Sequence, residues 1–298
     1  MAGADPARAP DSPERPHMTT TARSVVLPSG ERIAALGQGT WHFAERPARR
    51  AEEIASIRLG VDLGMTVIDT AEMYADGASE ILVGEAIAGR RDEVFLVDKV
   101  LPRHATRAGT VRACEASLAR LGTDRIDLYL LHWRGGVPLA ETIAGFADLT
   151  ERGLIRYWGV SNLDADDMAE VAGVPGGDQV QTDQILYNLV RRGPEYDLLP
   201  WLSGRRIPVM AYSPIEQGRL LGHPALGEVA RRHGATPAQI ALAWVLRADG
   251  VNAIPRAGTL DHVRDNAAAL RIRLGDEDLT SLDEAFPPPA RPRPLEML

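Results

Sequence analysis

The sequence predicts an α/β fold, a (β/α)8 TIM barrel with an N-terminal β-hairpin plug and a C-terminal accessory helix. Three observations carry that expectation. Eight short apolar runs alternate with eight amphipathic stretches, the pattern of a parallel sheet with helices packed over it. They fill about 250 residues, the usual span of a closed barrel, and no breakpoint reads as a domain linker. The rival, an open doubly wound sheet, needs G-x-G-x-x-G opening its first helix. Here Gly37-Gln38-Gly39 lacks the third glycine, and Thr40-Trp41 stand where that helix should begin.

Taken in order, residues 1–23 carry Pro6, Pro10, Pro13 and Pro16 without an apolar core, which reads as a disordered extension or tag. Residues 24–286 form a single domain. Its hairpin runs from Ser24–Leu27 through a turn at Pro28-Ser29-Gly30 to Glu31–Ile33. Strands are expected at Ala34–Gly37, Thr66–Asp69, Val94–Lys99 and Ile126–His132, then at Arg156–Val160, Gln179–Gln184, Ile207–Tyr212 and Val251–Pro255. Helices are expected at Pro47–Leu63, Ser79–Ala88, Thr106–Leu121 and Leu139–Arg152, then at Ala165–Ala172, Glu195–Ser203, Pro237–Ala248 and Leu260–Leu270. Pro47 suits a first turn, Gly64 and Gly122 follow last turns, and Thr236-Pro237 supplies an N-cap before a helical proline. Asp276–Ala285 is the accessory helix. Residues 287–298, with Pro287, Pro288, Pro289, Pro292 and Pro294, form an extended and poorly ordered tail that could still lie across a cleft.

Composition narrows the function. A net charge of −8 and a pI near 5.4 argue against a nucleic-acid partner, which needs a basic face. No apolar stretch reaches the roughly 18 residues of a membrane span. Cys114 is the only cysteine, so there is no internal disulfide, which fits a reducing cytoplasm. Its spacing with Val111, Leu118 and Leu121 makes it a buried structural thiol rather than a nucleophile. A monomer acting on a small molecule is the expectation.

Lys99 is the single lysine among 33 Lys+Arg residues, and it ends the apolar run Val94-Phe95-Leu96-Val97-Asp98-Lys99. Arginine is locked in its charged form, whereas an ammonium is a compact charge with a movable pKa. In a barrel of this kind chemistry sits at the C-terminal ends of the strands. There the second strand ends in Asp69 with Tyr74 in the following loop, the third in Lys99, and the fourth in His132. One strand-end residue is commonly a cap or a packed rim group. Four titratable groups from three successive strands point to a site.

The chain resembles the aldo-keto reductase family from about residue 24 to 286. The ordered motifs are Gly39-Thr40-Trp41, Ile68-Asp69-Thr70-Ala71 with Tyr74, Lys99, Leu131-His132-Trp133, Gly159-Val160-Ser161-Asn162, Ala211-Tyr212-Ser213-Pro214 and Ile254-Pro255. The resemblance implies NADPH-dependent reduction of aldehydes and ketones. Tyr74 would donate a proton to the carbonyl oxygen while Lys99 pulls its pKa down from the ordinary value of about 10. Asp69 would hold the ammonium, and a neutral His132 would orient the carbonyl.

The resemblance also implies that Ser161, Asn162 and Gln184 bind the nicotinamide amide and that Tyr212 stacks on its ring. Thr40, Trp41, Asp69 and Ile254 belong to the same cofactor set. The stretch Ser213-Pro214-Ile215-Glu216-Gln217-Gly218-Arg219-Leu220 would cover the pyrophosphate. At the adenosine end the chain departs from the family, which commonly has Lys after Ile-Pro and Arg six residues on. Arg256 and His262 stand there, so NADPH is expected with NADH as an option. Thr259 opens a helix N-terminus suited to an anion, and Asp265 and Asn266 match adenine contacts. Trp41, His42, Phe43, Tyr74, His132 and Trp133 would line the substrate mouth. The short segment from Trp133 to Pro138 leaves a pocket suited to small aldehydes, 2-oxoaldehydes or simple ketones. Two other readings stand beside this one: a nucleotide-binding regulatory or structural barrel with little turnover, and a metal-dependent hydrolase using Asp69, His132 and Asp183. The hydrolase lacks a His-x-His pair, and Lys99 would repel its cation, so no metal is expected.

Overall fold

The computed structural model describes residues 23–298, so the N-terminal extension lies outside the described residues apart from Arg23. The hairpin forms as β1 (Ser24–Val26) and β2 (Arg32–Ala34), with buried Val25 opposite buried Ile33. Gly30 sits at φ 87 in its turn, a conformation that costs glycine little. The Ser29 amide donates to Gln181 across 2.9 Å, and Glu31 pairs with Arg156. Both partners lie at the N-terminal side of barrel strands, so the hairpin plugs the end away from the chemistry.

Eight strands run parallel in chain order: β3 (Gln38–Gly39), β4 (Val67–Asp69), β5 (Phe95–Val100), β6 (Ile126–Leu131), β7 (Ile155–Ser161), β8 (Asp183–Leu186), β9 (Val209–Tyr212) and β10 (Val251–Ala253). The ring is closed by bridges from Leu36 to Ala253 and from Gly39 to Arg256. Closure requires small residues. A Cβ on Gly37 would meet the Val67 carbonyl at 2.8 Å, and one on Gly39 the Ile254 carbonyl at 2.8 Å. Every residue of β5 and β6 is buried, because one face lines the barrel and the other lies under helices.

The helical layer comprises α1 (Arg50–Asp62), α2 (Ala78–Ile87), α3 (Arg107–Leu121), α4 (Leu139–Glu151) and α5 (Ala165–Gly173). It continues with α6 (Leu198–Gly204), α7 (Pro224–His233), α8 (Pro237–Val245), α9 (Leu260–Ala268) and α10 (Asp276–Ala285). The end signals act as their chemistry predicts. Thr106 caps α3 through the Gly109 amide, Gly122 ends it at φ 62, and Thr236 with Gln239 makes a capping box on α8. Cys114 is buried on α3, and burial pushes its thiol pKa up, as a structural role requires. Among the described residues no helix is long and apolar enough to cross a membrane.

Four elements depart from the sequence reading. The first barrel strand is Gln38–Gly39 rather than Ala34–Gly37, because Ala34 is taken into the hairpin. The sixth is Asp183–Leu186 rather than Gln179–Gln184, because Gly176 at φ 82 starts a 310 turn over Gly177–Gln179. Helix α7 is absent from the sequence reading. It offers only a narrow apolar stripe of Leu226, Val229 and Ala230 behind Pro224. The tail is not loose: Arg192 donates to the Phe286 carbonyl at 2.5 Å, Leu295 packs on the core, and Glu296 pairs with Arg191.

Candidate active site

The C-terminal strand ends bring the four groups together. Lys99 on β5 is fully buried, its Nζ 2.8 Å from Asp69 at the end of β4 and 2.8 Å from the Thr70 carbonyl. It stands 3.2 Å from the Tyr74 hydroxyl. Tyr74 opens a 310 turn whose next two residues, Ala75 and Asp76, hold φ values of 49 and 53. Left-handed backbone costs a non-glycine residue roughly 1–2 kcal/mol. Such strain concentrates where a side chain must be held in one place. His132 follows β6 directly, and its ring lies 5.8 Å from that of Tyr74 at an interplanar angle of 77°.

Charge in this pocket follows burial first. Burial alone would lower the Lys99 ammonium, but Asp69 and Tyr74 more than offset it and hold the pKa above its ordinary value. Burial, aided by Lys99, brings His132 down to about 2, so its imidazole is neutral. Its Nδ1 is buried without a hydrogen-bond partner among the described residues. Tyr74 corrects the sequence reading. Burial pushes the phenol above its ordinary value, and the Lys99 charge only counteracts that rise.

A second network surrounds the quartet. Gln184 donates to Asp69 at 2.7 Å, and the Ser161 hydroxyl donates to the Gln184 carbonyl at 2.8 Å. The Asn162 amide donates to the His132 carbonyl at 3.0 Å and to the Ser161 hydroxyl at 3.0 Å. The Tyr212 hydroxyl donates to Asn162 Oδ1 at 2.9 Å. Asn162 itself sits at φ 60, a position asparagine tolerates better than most residues. These residues and Asp69, Tyr74 and His132 line one end of a cavity of about 870 Å³.

The middle of that cavity is walled by Ser213, Pro214, Ile215, Gln217 and Gly218. Positive φ at Ser213, Glu216, Gln217 and Gly218 turns this stretch into a tight loop. Successive amides in such a loop can face one anion. Glu216 holds the loop from behind, accepting from Asn188 at 2.8 Å, Arg191 at 2.9 Å and Arg219 at 2.8 Å. Burial raises the Glu216 carboxyl, but Arg191, Arg219 and Asn188 keep it below the usual carboxylate range. Neither Asn188 nor Arg191 is a candidate from the sequence, where nothing marks them as partners of a loop some 25 residues away.

The far end of the cavity is lined by Ile254, Arg256, His262, Asp265 and Asn266. Asp265 is held by Gln239 at 2.7 Å and by Thr236 at 3.1 Å. Thr40, Lys99, Leu220 and Thr259 are among the sequence candidates that do not line the cavity. Thr40 is buried behind it, its hydroxyl donating to the Asp69 carbonyl at 2.9 Å. Lys99 stands beneath Tyr74, Leu220 is buried, and Thr259 caps α9 by accepting from the His262 amide. Trp41, His42 and Trp133 form the mouth, with Trp41 stacked on His42 at 4.1 Å. Phe43 does not join them. It is buried 5.4 Å from the Arg256 guanidinium, toward the other end. Met73, Leu221, Met297 and Leu298 complete the wall without having been candidates. The last two come from the tail, whose proline-rich composition hid its docking.

The site thus sits at the C-terminal strand ends of a parallel eight-stranded barrel. The sequence model of the Aldo/keto reductase family matches residues 35–286, and the chain belongs to that family. It is 50% identical over 271 residues to methylglyoxal reductase YeaE of Escherichia coli, covering 89% of this chain and 95% of that protein. An NADH-specific methylglyoxal reductase of E. coli is 29% identical, over 85% and 94% of the two chains. An aldo/keto reductase from Klebsiella pneumoniae, solved with NADP and acetate, superposes with a TM-score of 0.91 at 50% identity. The match covers 93% of this chain and all of that one.

Proposed function

We propose that this enzyme reduces small aldehydes, 2-oxoaldehydes and simple ketones to alcohols with NADPH, taking the proton from Tyr74. One observation carries the reading: the Tyr74 hydroxyl sits 3.2 Å from a fully buried ammonium, beside a cavity of about 870 Å³ that runs past Tyr212 and Ser213 to Arg256. The residues present fit that cofactor. Tyr212 offers a ring for stacking, the loop Ser213–Gly218 offers clustered amides, and Arg256 offers a cation at the far end. When bound, NADPH supplies the hydride.

Everything else falls to the side chains. As charge grows on the carbonyl oxygen, the Tyr74 hydroxyl donates its proton. Burial keeps that phenol loaded at neutral pH, yet an ordinary phenol near 10 is far more acidic than water near 15.7. Transfer to an alkoxide is favoured to the extent that Lys99 counteracts the effect of burial on the phenolate. Lys99 stabilises the phenolate left behind, and Asp69 keeps Lys99 charged and fixed. Neutral His132 orients the carbonyl without competing for the proton.

The wall of Trp41, Trp133, Met73 and Met297 is apolar and short, which suits small carbonyls, and the two relatives named for methylglyoxal support a 2-oxoaldehyde. NADH use stays open because one relative is named NADH-specific. Residues 24–286 act as one domain whose cleft the 287–298 tail helps to wall. The enzyme acts as a cytoplasmic monomer, in keeping with its one cysteine being buried. The test is NADPH oxidation by the purified protein with methylglyoxal, propanal and acetone. Carbonyl-dependent oxidation fastest with methylglyoxal is expected, and no carbonyl-dependent oxidation overturns the reading.

A further inference from the structure

Beside the far end of the cavity, just outside its lining, stands a basic group besides Arg256 and His262. Arg49 closes the 310 turn Pro47–Arg49 just before α1. Its Nη2 reaches across the barrel rim to the Gly258 carbonyl at 2.9 Å, 209 residues away in sequence. Its carboxylate contact is weak: Glu52 is 3.3 Å away, and the two side chains are 33% and 46% exposed. A Cβ built on Gly258 would lie 3.5 Å from the Arg49 Nη2 and 3.5 Å from the Arg256 Nη2. Two guanidiniums therefore flank one glycine, and one of them, Arg256, lines the far end of the cavity.

Like charges brought together repel. Arg256 feels both signs of charge: partial burial lowers its pKa most, Glu53 and then Glu45 raise it, and Arg49 and Arg46 lower it. Its planar face lies over Phe43 at 5.4 Å, which leaves the donor edge of the fork free. A dianionic phosphate is the ligand that turns such a pair from a cost into a gain, because each guanidinium can give it two parallel hydrogen bonds. On a dinucleotide lying with its nicotinamide at Tyr212, only the 2′-phosphate of the adenosine ribose comes to this end as a dianion. NADH lacks that group.

We propose that Arg49 is a cofactor-selecting residue that clamps the 2′-phosphate of NADPH together with Arg256, one arm from the β3–α1 loop and one from the segment after β10. This rests on the NADPH reading above. The clamp needs both sides of the barrel closure. Arg49 approaches from the strand that opens the ring and Arg256 from the one that closes it.

Binding separates this from the chemistry. Fluorescence titration would give Kd values for NADPH, NADH, adenosine 2′,5′-bisphosphate and ADP against wild type, Arg49→Ala, Arg49→Lys and Arg256→Ala. Arg49→Ala should weaken NADPH and the 2′,5′-bisphosphate by about tenfold or more, since one charge-assisted contact is worth about that factor. NADH and ADP should stay within about twofold of wild type. Arg49→Lys should recover part of the NADPH loss, because it keeps the charge without the fork. Equal weakening of NADPH and NADH would make Arg49 a mere brace for Gly258 and overturn the proposal. So would unchanged NADPH binding. Selective loss of NADPH binding in a protein that turns over no carbonyl would leave the clamp standing while the proposed reaction failed.

Discussion

The two ends of the cleft are built on opposite electrostatic plans. At the Tyr74 end every charge is answered: Lys99 by Asp69, and Asp69 by Gln184. At the Arg256 end two guanidiniums converge on Gly258, and Glu53 and Glu45 offset the charge of Arg256 without a hydrogen bond to it. The first end is therefore organised before anything binds, so it spends no energy arranging dipoles as the reaction proceeds. The second presents two converging cations to an anionic ligand. Catalytic geometry belongs to the closed end and cofactor choice to the open one.

The comparison breaks most sharply at Lys99. Lys99→Met should lower kcat at least about a thousandfold and also lower Tm, because Asp69 would be left buried without its cation. Removing one partner of a buried pair costs about 3–5 kcal/mol. The double variant Lys99→Met/Asp69→Asn should recover Tm in thermal denaturation while kcat stays lost. Recovery of neither would show that the pair is not an isolated unit. At the open end Arg49→Ala should leave Tm nearly unchanged while selecting against NADPH, so one charge deletion is structural and the other is not.

A smaller effect is expected from the tail. Deleting Met297 and Leu298 removes apolar wall from the cavity, where the Leu298 backbone meets Tyr212, and KM for methylglyoxal should rise a few-fold with NADPH affinity kept. A change in NADPH affinity instead would place the tail over the cofactor. The smallest effect is a predicted flatness. His132 is neutral down to about pH 2 and Tyr74 keeps its proton well into alkali. The kcat/KM profile for reduction should therefore show no break between about pH 6 and 8, where an ordinary histidine titrates. Stability carries the opposite signature. The unfolded chain takes up a proton at His132 near its ordinary pKa of about 6.5, which the folded protein refuses. Stability is thus lost as pH falls below that value, and His132→Gln should flatten this limb in a denaturation series.

The sequence exposed the closed end more fully than the open one, for a physical reason. Asp69, Lys99 and His132 each terminate an apolar run, and a strand that ends in a charge announces both its direction and its rim. Their convergence needed only the barrel. Arg49, Asn188 and Arg191 sit on turns whose partners are set by tertiary distance, and no periodicity marks them. Phe43 and the tail misled because composition alone does not say which surface an apolar or proline-rich segment covers. The Tyr74 pKa was misjudged because the charge of Lys99 is visible in the sequence but the burial that outweighs it is not. Helix α7 was hidden by a stripe of three buried residues.

The most direct test of the account is the single-turnover rate of NADPH oxidation with methylglyoxal in Tyr74→Phe, measured beside NADPH affinity. The loss of one positioned proton donor should slow the step by about 100-fold to 10,000-fold and leave the NADPH Kd within about twofold. A rate close to wild type with the hydroxyl gone would contradict the assignment of the proton to Tyr74.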